Sequence, residues 1–251
     1  MRTLGIDLAA QPANTSVCAI DWRASAPVVS DLRSGLDDEA LLDAISDADK
    51  VGIDAPFGWP DEFVDAVVAH RDGSGWPGSG EDQDLYRFHL SFRATDRRLI
   101  EGGARRPLSV STDLIGVVAM RCANLLDRLA AAGEAVDRAG SGKVIEAYPA
   151  PALSSWGVSS VGYKSRVGVA RIPELLSRVE DALGGIEMTP QERELAGADH
   201  NCFDALIASL VARAAALGLT QGPESTEERD RAVREGWIHV PTNPLAHLIE
   251  K

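Results

Sequence analysis

Two short apolar runs end in the same tripeptide, Leu4-Gly5-Ile6-Asp7 and Val51-Gly52-Ile53-Asp54. Each delivers a carboxylate at the carboxyl end of a predicted strand. The glycine beside it lets backbone or ligand come close. Open α/β sheets bind their ligands just beyond such strand ends. Two of these carboxylates in one sheet point to a shared divalent cation. Taken singly, each reads equally well as a cap on the segment that follows. Three further acids join the set. Glu146 interrupts the apolar run Val144-Ile145-Glu146-Ala147-Tyr148, where a charge is costly unless paired or metal-bound. An Arg or Lys partner is the competing reading for it. Asp199 and Asp204 flank His200-Asn201-Cys202-Phe203 at the start of an apolar helical pattern. There Asp204 shares a face with His200 and Asn201.

An all-oxygen donor set without a Cys or His cluster suits magnesium or manganese and not zinc. Asp7, Asp54, Asp204 and Asp199 are the candidate metal ligands. Asp7, Asp54, Glu146 and Asp204 are the candidate catalytic acids. Three or four carboxylates can hold one or two ions, which activate water and stabilise a leaving oxygen in phosphoryl transfer. Two basic stretches offer substrate contacts. In Ser91-Phe92-Arg93-Ala94-Thr95-Asp96, Arg93 can fork onto a phosphate or carboxylate, with Thr95 beside it. Between Tyr148 and Lys164, Lys164 adds a cation while Trp156 and Tyr163 can stack a base or sugar, or simply anchor the loop. The glycine-rich stretch 73–80 lacks the Lys-Ser/Thr ending of a phosphate loop, and no nucleophile-elbow motif is present.

The elements that must position these groups follow from pattern. Strands are predicted over residues 2–8, 15–22 and 27–32, then a helix to about residue 46, then a strand over 50–54 parallel to the first. Helices are predicted over 61–70, 87–98, 113–132, 171–183 and 192–217. A short strand over 144–148 and an edge strand within 236–241 complete the set. The order βββαβ followed by helices implies a mixed sheet covered by helices. The 251 residues read as a single domain, with a helical and loop insertion over roughly 60–140. A net charge of −13 disfavours broad duplex binding and favours a small or structured substrate. Three cysteines far apart, Cys18, Cys122 and Cys202, read as reduced and buried, hence a cytoplasmic setting. A strand begins almost at residue 1, so no signal peptide is expected. No apolar run is long enough for a membrane span, and a homodimer is the default assembly.

These motifs resemble one family. Gly5-Ile6-Asp7, Gly52-Ile53-Asp54-Ala55-Pro56-Phe57-Gly58, Phe92-Arg93-Ala94-Thr95-Asp96, Glu146-Ala147-Tyr148-Pro149 and the late Asp199 to Asp204-Ala205-Leu206 are similar to domain-of-unknown-function family 429. Its members are described as predicted nucleases of RNase H-like fold. The resemblance implies a βββαβ core with a metal site at its strand ends. It carries the family's first-strand, fourth-strand and late-helix acids onto Asp7, Asp54 and Asp204. Holliday-junction resolvases look to have one more acid three residues before the last. Here that position is Asn201, and Glu146 is the candidate to supply the missing ligand. The resulting expectation is a magnesium- or manganese-dependent nuclease or phosphodiesterase acting on nucleic acid or a nucleotide-like diester. Two alternatives stay open: an actin-like ATPase or phosphotransferase relative, and a non-catalytic small-molecule or protein-binding module.

Overall fold

The computed structural model describes residues 1–158, 162–165 and 168–249. Three antiparallel strands open the chain: β1 (Arg2–Asp7), β2 (Ser16–Trp22) and β3 (Pro27–Ser34). Helix α1 (Asp38–Ser46) follows, its first turn capped by the Asp37 carboxylate accepting from Ala40 N. Strand β4 (Lys50–Asp54) then returns parallel to β1. Four helices come next: α2 (Asp61–Asp72), α3 (Gln83–Ser91), α4 (Ala94–Glu101) and α5 (Ile115–Ala131). They lead to β5 (Val144–Glu146), parallel to β4, and then to α6 (Pro149–Ser155), α7 (Ile172–Leu183), α8 (Pro190–Ala198) and α9 (His200–Ala216). A small ribbon of β6 (Thr220–Gln221) and β7 (Val240–Pro241) brackets α10 (Thr226–Glu235). The main sheet runs β3-β2-β1-β4-β5. It is a mixed sheet of RNase H-like order, as the βββαβ pattern predicts.

Strand alternation sends side chains to two opposite cores. Leu4, Ile6, Val51 and Ile53 face α1 and α5, where Leu41, Ile45, Cys122 and Leu125 close the layer. Cys18, Ile20 and Ile145 face α6, α7 and α9 on the other side. On that second face, Gly5 and Gly52 lie side by side in register. The backbone of α9 rests directly on them. A Cβ on Gly5 would stand 1.9 Å from the Ala205 carbonyl oxygen and 2.3 Å from Ser209 N. One on Gly52 would stand 2.4 Å from the Ala208 oxygen. The glycines are therefore seats for a helix, and not openings for a ligand. A buried bond between Thr3 Oγ1 and Ser209 Oγ, 2.8 Å, locks the register of helix on strand.

Four sequence expectations need correcting. The predicted helix over 87–98 is two helices, broken at Phe92–Arg93, because Arg93 is drawn into a buried ion cluster. The predicted long helix over 192–217 is α8 and α9, broken at Asp199, whose extended backbone and side chain cap α9. Pro149 opens α6 instead of merely ending a strand, as proline at a first helical position can. Helix α10, not anticipated, begins with a capping box in which Ser225 and Glu228 each satisfy the other's backbone N–H.

Because α9 cannot back away from the sheet without losing its own core, Gly52→Ala is expected to cost about 3 kcal/mol or more of unfolding free energy. Urea titration reads this directly. A loss below about 1 kcal/mol would show that α9 has room to shift.

Candidate metal centre

Period-two alternation puts Asp7 on the same face as Gly5, and Asp54 on the same face as Gly52. The parallel register pairs Asp7 with Asp54 directly. The glycine seats bring the first turns of α9 against those strand ends, and Asp204 is the acid it presents there. Carboxylate oxygens of Asp7, Asp54 and Asp204 all lie within 4.8 Å of one another. Residues far apart in sequence thus meet at one point because two glycines admit a helix backbone.

The trio is electrostatically unbalanced. Burial, then the charges of Asp204 and Asp54, push the Asp7 carboxyl well above its ordinary range. Burial lifts Asp54 to about 7, with Lys164 opposing and Asp204 adding to the rise. Asp204 itself has no solvent contact. Its Oδ1 accepts from the Tyr163 hydroxyl. Its Oδ2 has Lys164 Nζ at 2.5 Å as an ion pair, yet accepts no aligned hydrogen bond among the described residues. Lys164 Nζ also stands 3.7 Å from Asp54 Oδ2. Burial works against that ammonium, but the surrounding carboxylates raise its pKa well above the usual value. Tyr163 packs edge-on against Phe203 of α9, ring centroids 5.7 Å apart, which fixes the loop that carries Lys164. Tyr148 lies at the margin. Burial raises its phenol, Asp54 adds to the rise, and Lys164 and Arg105 lower it.

The donor set is all oxygen, and one wholly buried carboxylate oxygen lacks a hydrogen bond. Both features suit a hard cation of the magnesium or manganese type, which Asp7, Asp54 and Asp204 could hold.

Other expected site residues lie elsewhere. Glu146 was expected beside the trio, but β5 pairs it across from Ile53, on the opposite face from Asp54. There it forms a two-pronged pair with Arg93, Nη2 to Oε1 at 2.7 Å and Nη1 to Oε2 at 2.8 Å, and accepts from Phe57 N at 3.0 Å. Arg93 was expected to face a substrate phosphate or carboxylate. Its fork instead holds Glu146 and Asp96, with Nε to Asp96 Oδ2 at 2.9 Å, and the cluster is almost fully buried. Gly236, at φ +88°, passes so close that a Cβ would stand 2.7 Å from Glu146 Oε2. Thr95, the other expected substrate contact, is buried and its hydroxyl accepts from Ile238 N at 3.0 Å. Asp199, expected as a metal ligand, caps α9 by accepting from Asn201 N at 2.8 Å. Lys164 is at the trio. Of the segment read from Tyr148 to Lys164, residues 159–161 lie outside the described residues. Tyr163 was read only as a stacking group or loop anchor; a Tyr-Lys pair ahead of an acid-bearing helix was the available signal for its contact with Asp204.

A mixed sheet in the order β3-β2-β1-β4-β5, with acids at the ends of β1 and β4 and a third brought to them by α9, defines a protein of RNase H-like architecture. The family described as "Protein of unknown function (DUF429)" matches residues 5–228, and the chain belongs to that family. No curated protein and no solved structure matches. Among the described residues, no helix is long and apolar enough to cross a membrane.

The two carboxylate groups should respond oppositely to neutralisation. A carboxyl whose pKa is raised on folding keeps a proton that the unfolded chain releases. Stability from that source is present below about pH 4 and is lost as pH rises toward 7. At pH 8 without metal, Asp54→Asn is expected to raise the thermal midpoint by about 2–6 °C, and to leave it unchanged near pH 4. Glu146→Gln strands part of the buried Arg93 charge and is expected to cost about 3 kcal/mol. Melting curves across pH check both, and a fall for Asp54→Asn at pH 8 would mark Asp54 as structural.

Proposed function

We propose that the protein is a metal-dependent phosphodiesterase, with nucleic acid or a nucleotide-like diester as substrate. The observation that carries the reading is the meeting of Asp7, Asp54 and Asp204 beyond the ends of parallel strands, in an all-oxygen cluster that burial leaves short of positive charge. A magnesium- or manganese-like ion held by these three would supply the charge that a diester lacks a partner for, and would lower the pKa of a water bound to it.

The chain's own residues supply the rest. Asp7 and Asp54, on rigid neighbouring strands, fix two ligand directions. Asp204, held by Tyr163, fixes the third from α9. Lys164, 45% exposed, offers an ammonium at the mouth of the site to a non-bridging phosphate oxygen. Arg105, exposed on the loop before α5, extends that positive margin. Arg93, Thr95 and Glu146 take no part in binding, since all three are buried in the scaffold. The acidic chain disfavours a long duplex track and favours a small or structured substrate.

A non-catalytic binding module remains the second reading. Asn201 supports it, standing where the resolvase-like pattern has an acid, as does Lys164, which already neutralises part of Asp204.

Manganese or magnesium at about 100 times its dissociation constant should stabilise the wild type by about 2.7 kcal/mol, and Asp54→Asn should lose that shift. Under the same conditions the wild type should hydrolyse bis(p-nitrophenyl) phosphate or a branched, single-stranded or RNA substrate, and Asp7→Asn should not. A metal-induced shift without hydrolysis would favour the binding module. No shift at millimolar metal would remove the metal reading altogether.

A further inference from the structure

The position of Lys164 sets a limit on the cations the site can take. Two divalent ions sharing carboxylates stand roughly 3.5–4 Å apart, each needing its own access to the shared oxygens. Here that space is divided differently. The Lys164 ammonium stands 2.5 Å from Asp204 Oδ2 and 3.7 Å from Asp54 Oδ2, between the helix acid and the strand acid. The other Asp204 oxygen already accepts from the Tyr163 hydroxyl. Each Asp204 oxygen thus has one contact from consecutive residues of one loop, which leaves it a lone pair for one ion and no room for two. On the strand side Asp7 and Asp54 share a hydrogen bond, which gives way when both ionise as ligands to a cation must.

Charge counting agrees with the geometry. With all three carboxylates ionised, as ligands to a cation must be, the acids carry −3 and Lys164 carries +1, a net of −2. One divalent ion brings it to neutrality. A second would leave +2 in a site where one ligand has no solvent contact, an arrangement that burial penalises. The lysine is also held for this position and is not a passing surface charge. Tyr163 is wedged against Phe203, and Lys164 Nζ lies 5.9 Å from the centre of the Tyr163 ring. The side chain reaches inward from solvent, so the loop fixes its root while the carboxylates fix its tip.

We infer that the site takes a single divalent ion and that Lys164 is its second cation, occupying the place of a second metal and neutralising Asp204. This rests on the metal-site reading above and goes beyond it by fixing the stoichiometry.

Calorimetric titration of manganese into the full chain tests this, using wild type, Lys164→Met and Lys164→Arg. The wild type is expected to bind one manganese per chain. Lys164→Met, with its −3 cluster restored, is expected to take up a second ion or to bind the first at least tenfold more tightly. Lys164→Arg is expected to return to one ion at near wild-type affinity. Two ions in the wild type overturn the inference and leave the metal site standing. So does a Lys164→Met variant with unchanged stoichiometry and affinity. No uptake by any of the three proteins overturns the metal site itself. The wild-type stoichiometry needs no variant to fold, so it decides the question even if Lys164→Met is unstable.

Discussion

Everything at the strand ends depends on how near a helix can come to a sheet. Helix α9 lies on β1 and β4 with carbonyl oxygens where side chains would ordinarily stand. Only glycine at positions 5 and 52 permits this, and the facing side of α9 answers with Ala205, Ala208 and Ser209. The close fit leaves little freedom of tilt or slide. It therefore transmits the accuracy of the sheet register to Asp204, at the other end of the chain from Asp7. A looser contact of the same topology would still make a fold. It would not make three carboxylates converge.

The same sheet handles two groups of buried acids in contrasting ways. On the α5 face, Glu146 and Asp96 share one guanidinium, with further donors from Phe57 and the Arg93 backbone. The cost of burial is there offset by charge-assisted bonds of good geometry. On the α9 face, Asp7, Asp54 and Asp204 share one ammonium, and burial drives two of them toward the neutral form. A folded chain can hold such an imbalance only when the surrounding packing is strong, and α9 is buried along nearly its whole length. Unbalanced charge held in place by a rigid scaffold distinguishes a site from a structural pair.

What the sequence made legible follows from the range over which each signal acts. Gly5-Ile6-Asp7 and Gly52-Ile53-Asp54 could be paired from sequence because repetition in two strands of one sheet is visible without knowing their neighbours. Asp204 could be placed on a buried face from its own helical pattern. Glu146 could not be assigned a face, because that depends on whether Ile53 or Asp54 lies opposite it, and register is set by contacts beyond the strand. Arg93 failed for a related reason. A fork suited to phosphate is equally suited to carboxylate, and only the fold reveals which carboxylate arrives first. Asp199 was read as a ligand, and its role as the cap of α9 emerges only from the structure. The break it makes between α8 and α9 was concealed by apolar residues running through both. The glycines were seen correctly as points of close approach, but what approaches them is backbone.

The site also bears on the order in which the molecule is made. Its acids come from residues 7, 54 and 204, so every contact among them and α9 closes a long loop of chain. Contacts of that kind form late and slowly. During synthesis, which adds roughly 5–20 residues per second, β1 and β4 emerge many seconds before α9 can settle on them. Through that interval the two strand aspartates have no third partner, and nothing covers the glycine strip. The three carboxylates converge only once α9 has settled on the sheet, so their meeting itself reports that sheet and helix are correctly packed.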